Sequence, residues 1–302
     1  MSDISFSVII PTFRRPKLLI RSLQSVIVQL EDTDEIIVVN DDRIADVSLD
    51  LSLVEHKDKI KIVTSQFERG PAGARNFGVS LSNCNYVMFL DDDDVMQNGY
   101  LSSLKLSLMR SSDAGYGGAH MERVKSNYSD EFWQQTKGPE VGQICKKPRD
   151  VLFGGGCGMW VKRSLFMQIG GFNEKLINSE DNDLCVRLFG SGVKCLRYHG
   201  KWIYVFNQHT DAQANITSTV PIEDKLECWW LVYFNNRHFF NPFHPIRIEL
   251  LERFTRRAFR ENRGRYALDK FKSAGFDPSI LLAYLYTVSL RLKYFQKDDK
   301  LR

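Results

Sequence analysis

Through the first third of the chain, short apolar runs rich in β-branched residues alternate with amphipathic stretches, the pattern of strand–helix–strand units. Phe6 to Ile10 predicts a buried strand. Pro16 suits the first turn of a helix, after which Leu19, Leu23, Ile27 and Leu30 recur at three- and four-residue spacing and form one apolar stripe able to cover a sheet. Ile36 to Val39 predicts a second strand, Lys59 to Val63 a weaker third, Ala72 to Leu81 a helix and Tyr86 to Leu90 a fourth strand. Strands one, two and four run into polar clusters: Pro11–Thr12–Phe13, Asn40–Asp41–Asp42 and Asp91 to Asp94. In an open parallel sheet ligands bind beyond the carboxyl ends of the strands, so these clusters should meet in one cleft.

After Asp94 the periodicity loosens into a mixed region that extends to about Pro221. It holds a glycine-rich run, Gly154 to Gly158 with Cys157 inside it, and a second acidic segment, Glu180–Asp181–Asn182–Asp183. Beyond Pro221 the pattern turns helical: Leu250, Phe254 and Ala258 repeat every fourth residue, and Asp277–Pro278 is a good N-cap and first-turn pair for a last helix. The expected architecture is α/β, with a mostly parallel central sheet flanked by helices and a C-terminal helical extension. The expected units are residues 1–95, 96–220 and 221–302. No internal repeat or low-complexity linker interrupts them.

Composition changes this picture little. With 302 residues, 43% hydrophobic and 26% charged, the chain can bury a sizeable core. Six cysteines without C-x-x-C pairs make neither a zinc knuckle nor a disulfide framework, and point to a reducing cytosol. The N-terminus lacks a basic region followed by an apolar stretch, and no segment reaches the roughly 18 apolar residues of a membrane span. A cytoplasmic location is therefore expected. A net charge of +4 gives no reason to expect nucleic-acid binding, but from Pro245 to Arg302 there are 14 Lys and Arg against 7 Asp and Glu. With Phe254, Phe259, Tyr284 and Tyr286 nearby, that basic tail raises peripheral contact with an anionic membrane face as an expectation, against the alternative of a solvated helical cap.

Four consecutive aspartates after a buried strand are the sharpest chemical feature. Carboxylates this close repel one another, so keeping them ionised in a cleft calls for a cation or several donors. A divalent ion with hard oxygen ligands answers that need, and Mg²⁺ or Mn²⁺ suits it better than zinc. The alternative is a solvated acidic turn. Glu180–Asp181 likewise reads either as a general base and its neighbour or as helix N-terminal acids stabilised by the dipole.

In order and spacing, SVIIPTFRR (7–15), EIIVVNDD (35–42), GPAGARNFG (70–78), YVMFLDDDD (86–94), GGGCGMWVKRSLFMQIGGFNE (154–174) and EDNDLCVRL (180–188) resemble family 2 glycosyltransferases of the GT-A fold, over about residues 4 to 215. The resemblance implies roles position by position. Asp41 would accept a hydrogen bond from the nucleotide base, with Pro11 and Thr12 bordering it and Arg75 lying against the nucleotide. Asp91 and Asp93 would form the Asp-x-Asp (DXD) pair, Asp93 and Asp94 would reach the metal with a late histidine, His209, and Asp92 in the variable position would face solvent. Gly155 and Gly156 would let backbone approach the sugar, Gly170–Gly171–Phe172 with Glu174 would shape the acceptor side, and Asp181 would be the base with Glu180 beside it. Trp202, Trp229 and Trp230 are either sugar-stacking residues or core.

The implied reaction is inverting transfer of one sugar from a nucleoside-diphosphate sugar, by family habit a UDP-sugar, to a hydroxyl of a glycan or lipid-linked glycan, as in polysaccharide biosynthesis. Asn40 and Asp42–Arg43 depart from the family's usual residues beside the base, and the Q-x-x-R-W signature of processive members is absent. Two rivals remain. A sugar-nucleotide nucleotidyltransferase would ordinarily carry a glycine-rich phosphate loop after the first strand, where this chain has PTFRRPK, and a non-catalytic binding module would have lost its carboxylates.

Overall fold

The structure is a computed structural model, and its described residues are 4–44, 57–67, 70–124, 131–153, 158–206 and 220–285. Its first half is built on strands β1 (Phe6–Thr12), β2 (Glu35–Asn40), β3 (Ile60–Thr64) and β4 (Tyr86–Phe89), all parallel and ordered β3-β2-β1-β4. Helices α1 (Pro16–Ile27) and α2 (Pro71–Ser80) connect them. Side chains alternate across β1 because its period is two: Phe6, Val8 and Ile10 join Leu19 and Leu23 of α1 in one core, while Ile9 joins Ala74 and Phe77 of α2 in the other. Helix α1 ends at Ile27, and Leu30 continues its stripe as a partly buried residue beyond the helix.

The sheet continues through the second half in the order β4-β8-β6-β9-β5. Here β5 is Asp94–Met96, β6 Ala114–Val124, β7 Gln143–Cys145, β8 Trp160–Lys162 and β9 Lys194–Phe206. Strand β8 runs antiparallel between β4 and β6, β6 and β9 are parallel, and β5 and β7 lie antiparallel to β9. The expected parallel sheet is thus the frame of the first half, and the second half is mixed. Helices α3 (Tyr100–Arg110), α4 (Glu131–Gln134), α5 (Pro148–Val151), α6 (Arg163–Gln168) and α7 (Glu180–Gly190) are threaded among these strands.

Beyond residue 220 come α8 (Ile222–Asn236), α9 (Pro245–Arg260) and α10 (Gly264–Ser273), then helical residues 278–285. Leu250, Phe254 and Ala258 of α9 are buried as their spacing predicts. Asp277 caps the last helix, accepting from the Ser279 backbone N–H at 3.0 Å. Its carboxylate also accepts from Tyr233 Oη at 2.6 Å and from Arg247, tying three helices together. Trp230 packs 5.4 Å from Phe254 within this core, and Trp202 is fully buried beside Tyr100, with its Nε1 donating to Glu140 at 2.7 Å. Both are core residues rather than sugar platforms. Trp229 is partly buried against the same core. Among the described residues no helix is long and apolar enough to cross a membrane.

Candidate active site

Register brings the strand ends together. Thr12 pairs with Asn40 across β1 and β2, and the Asp41 backbone N–H donates to Thr12 O at 2.9 Å, so the ends of both strands are stitched side by side. The Asp41 carboxylate accepts from the Gly70 backbone N–H at 2.8 Å, which fixes it against the start of α2. Asn40 and Asp42 close their own turn: Asn40 Nδ2 donates to Asp42 O and Asn40 Oδ1 accepts from the Asp42 N–H, each at 3.0 Å. Arg14 then pairs with Asp42 at 2.5 Å.

The four aspartates follow β4 on the same edge. Asp92 does not face solvent. It is 5% exposed and accepts from Thr12 Oγ1 at 2.7 Å and from Arg15 Nη1 at 3.3 Å. Burial pushes its carboxyl up to about 6, against the opposing hydrogen bond from Thr12 and the charge of Arg15. Its side chain therefore anchors the cluster to β1, and the other three carboxylates, Asp91, Asp93 and Asp94, converge. Their ligand oxygens lie within 4.8 Å of one another, an arrangement that can hold a metal ion. The donor set is all carboxylate, which fits a hard cation such as Mg²⁺ or Mn²⁺. Arg15 also donates to Asp93 Oδ2 at 3.1 Å, and Arg21 Nη2 donates to the Asp93 carbonyl at 3.3 Å.

Arg75 joins this cluster to the second acidic motif. It is 4% exposed, and its Nη2 donates to Asp91 Oδ1 at 2.6 Å while its Nη1 donates to Glu180 Oε1 at 2.9 Å. Burial alone would lower the pKa of its guanidinium, but the charges of Asp91 and Glu180 outweigh burial and raise it. Glu180 opens α7, and burial followed by the charge of Asp181 pushes its carboxyl up against the pull of Arg75. Asp181 is buried, and its Oδ1 accepts from the Asn182 backbone N–H at 2.7 Å and from Asn182 Nδ2 at 2.9 Å. Ser179, just before these acids, has a left-handed φ of 67°, an unusual backbone for a non-glycine residue at a helix start. Asp183 is structural: it takes Arg187 Nε at 2.8 Å and Asn236 Nδ2 at 2.7 Å, fastening α7 to α8.

The segment Gly170–Gly171–Phe172 is held by Asn76, the neighbour of Arg75. Asn76 Nδ2 donates to Phe172 O at 2.9 Å and to Glu174 Oε1 at 2.7 Å, and its Oδ1 accepts from the Phe172 N–H at 2.9 Å. Gly171 has φ 66°, and a Cβ there would sit 2.6 Å from Asn76 Oδ1, so a side chain would break the clamp. Of the glycine run, Gly158 donates its N–H to Phe89 O at 2.6 Å, and a Cβ on it would lie 2.4 Å from Ile203, which makes this glycine a packing requirement. Gly155, Gly156 and His209 lie outside the described residues. The structure brings Thr12, Asp41, Arg75, Asp91, Asp93, Asp94, Glu180 and Asp181 to one end of the sheet. Arg15 and Asn76 are additions. Both sit within conspicuous motifs, RRP and ARN, but their partners lie at least 77 residues away, a separation no local pattern reveals.

The model of the family described as glycosyl transferase family 2 matches residues 7–170. A Campylobacter jejuni protein named GalNAc(5)-diNAcBac-PP-undecaprenol beta-1,3-glucosyltransferase is 35% identical over 185 residues, covering 58% of this chain and 56% of that protein. The Escherichia coli UDP-Glc:alpha-D-GlcNAc-diphosphoundecaprenol beta-1,3-glucosyltransferase is 27% identical over 128 residues, covering 42% of this chain and 49% of its own. The chain spans between 33% and 56% of the length of such curated relatives, several of them uncharacterised glycosyltransferases of Rickettsia. Among solved structures, Staphylococcus aureus TarS 1-349 in complex with UDP-GlcNAc superposes with a TM-score of 0.65 at 19% identity, over 89% of this chain and 81% of that one. The fold is accordingly of the GT-A type.

Proposed function

The chain belongs to glycosyl transferase family 2, and on that premise we propose that it transfers one sugar from a nucleoside-diphosphate sugar, a UDP-sugar by preference, to a hydroxyl of a lipid-linked glycan acceptor. The observation that carries this reading is Arg75, whose two Nη groups hold Asp91 and Glu180 at 2.6 and 2.9 Å and so join the first acidic cluster to the second. Donor and acceptor chemistry need that adjacency, because a base must reach the acceptor hydroxyl while charge develops on the departing diphosphate. The acceptor class is carried by the two relatives whose names specify undecaprenyl-diphosphate glycans. The donor class is supported by the superposition on a structure that holds UDP-GlcNAc.

In this reading residues 1–95 bind the donor, residues 96–220 bind the acceptor and the helices beyond cap the core. Asp41 and the backbone of Pro11 and Thr12 receive the base, and Asp91 and Asp93 face the ribose and diphosphate. Asp91, Asp93 and Asp94 would hold Mg²⁺ or Mn²⁺, which when bound offsets negative charge on the leaving group. Asp92 is the support beneath them, since Thr12 and Arg15 fix its carboxylate. Asp181 takes the acceptor proton as oxygen attacks the anomeric carbon from the opposite face, which inverts the centre. Asn182 orients that carboxylate through its two hydrogen bonds to Oδ1. Glu180, neutralised by Arg75, keeps a second charge from competing for the proton.

The direct test is a thermal shift with UDP and Mn²⁺ beside the other nucleoside diphosphates. UDP with Mn²⁺ at about 100 times its dissociation constant stabilises by about 2.7 kcal/mol, a rise of several degrees for a chain of this size. EDTA removes most of that rise. An equal shift with and without the cation would reject the metal assignment.

A further inference from the structure

A second cavity, of about 460 Å³, opens between β6, α5, β9 and α9, and its lining carries a strong excess of positive charge. Among the described residues, those lining it include Arg149, Arg197, Arg253 and Arg256, against one carboxylate, that of Glu249. Glu249 is already engaged: it accepts from Arg253 Nε at 2.8 Å and faces Arg256 at 3.8 Å. His120 also lines the cavity, and burial, then the charge of Arg197, lowers its pKa.

Arg197 is the telling residue. It is 6% exposed, its guanidinium lies 4.1 Å from the centroid of the Phe153 ring, and its Nη2 reaches Ala119 O at 3.4 Å. Among the described residues its Nη1 is buried without a hydrogen-bond partner. A buried cationic donor is costly to leave unmatched, and a guanidinium fork in an arginine-lined cavity matches a phosphate group in geometry and charge. The cavity is also wired to the candidate base. Arg253 Nη1 donates to Leu152 O at 3.0 Å and to Asn182 Oδ1 at 3.2 Å, and Asn182 Nδ2 in turn donates to Asp181 Oδ1 at 2.9 Å.

We propose that this cavity is a subsite for a phosphate or diphosphate group carried by the acceptor, with Arg197 and Arg253 as its inner contacts and Arg149 and Arg256 at its mouth. The identity of the carrier rests on the sugar-transfer reading, whereas the anion site itself rests on the arginines alone. Binding there would pull on Arg253 and, through Asn182, set the orientation of Asp181, so acceptor recognition and base positioning are one event.

The test is calorimetric titration of the full chain with inorganic pyrophosphate and, separately, with farnesyl diphosphate, both in EDTA so that the aspartate cluster has no cation with which to attract them. Pyrophosphate should bind, and Arg197→Gln should weaken it about tenfold or more, the loss expected for one charge-assisted hydrogen bond. Because Arg197 is buried and its variant can misfold, Arg149→Gln/Arg256→Gln at the mouth is the companion, with weakening in the same direction. Farnesyl diphosphate should bind at least as tightly as pyrophosphate and lose affinity in the same variants. The proposal is overturned if pyrophosphate does not bind, if both variants bind it as the parent does, or if farnesyl diphosphate is excluded while pyrophosphate binds. The UDP and Mn²⁺ thermal shift of the parent protein reads the donor site independently, so its loss would indict the transfer reading and leave the anion site standing.

Discussion

Arg75→Met deletes the cation between Asp91 and Glu180, and its cost can be worked from the exposure of each partner. The Asp91 side chain is 37% exposed, so solvent screens that half of the bridge and it contributes within about 1 kcal/mol. The Glu180 side chain is only 12% exposed, and stripping a buried carboxylate of its partner costs about 3–5 kcal/mol. Glu180 has one escape, which is to take up a proton. Neutralising a carboxyl of ordinary pKa at pH 7 costs about 4 kcal/mol, which caps the loss. We expect Arg75→Met to lower unfolding stability by about 3 kcal/mol. The deficit should shrink as the pH falls from 7 toward 5: Glu180 without Arg75 is raised above its unfolded value, so its penalty is absent below the unfolded pKa, grows as pH rises above it and levels off above the folded pKa. Urea unfolding of the parent, Arg75→Met, Glu180→Gln and the double variant measures this as a cycle, and the double variant should recover about 2 kcal/mol relative to the sum of the singles. Strict additivity, or a loss under about 0.5 kcal/mol for Arg75→Met, would refute the bridge as the link between the two acidic motifs.

Two other outcomes follow from the same geometry. Asn76→Ala removes the clamp on Phe172 and Glu174 and should destabilise by about 1–3 kcal/mol, with a rise in hydrogen exchange at the Phe172 amide, because that N–H loses its partner. Burial pushes the Asp277 carboxyl up, but hydrogen bonds from Ser279, Tyr233 and Arg247 outweigh it and hold the carboxyl below the ordinary aspartate range. Its contribution is therefore present above about pH 4 and lost as pH falls through the depressed value, and Asp277→Asn should flatten that acid limb of a thermal melt.

The parallel half of the fold was legible because most of its strands are short apolar runs and its first helix carries one apolar stripe. Pro16 and Pro71 open α1 and α2, and Asp277–Pro278 opens the last helix. Strand β6 was not legible: its sequence AGYGGAHMERV carries three glycines and a polar end, and its register against β9 shifts in several places. Small residues there serve close strand packing, which has no periodic signature. The aspartate cluster was legible as a site but not in its inner arrangement. Asp92 reads as solvated beside three like charges, yet Thr12, 80 residues away, and Arg15 supply the donors that make burial tolerable. The arginine cavity escaped for the same reason, since Arg149, Arg197 and Arg253 come from three separate elements and only the fold assembles them.

In the proposed inverting transfer Asp181 is the proton acceptor. Its most direct test is to incubate the protein with Mn²⁺, a panel of UDP-sugars and a polyprenyl-diphosphate-linked saccharide, and to follow transferred sugar and its anomeric configuration by NMR. The expected product is inverted relative to the donor, and the Asp181→Asn variant is expected to bind UDP as the parent does but to transfer sugar about 10²–10⁴ times more slowly. A product of retained configuration, or an Asp181→Asn variant with a near-parental rate, would contradict it.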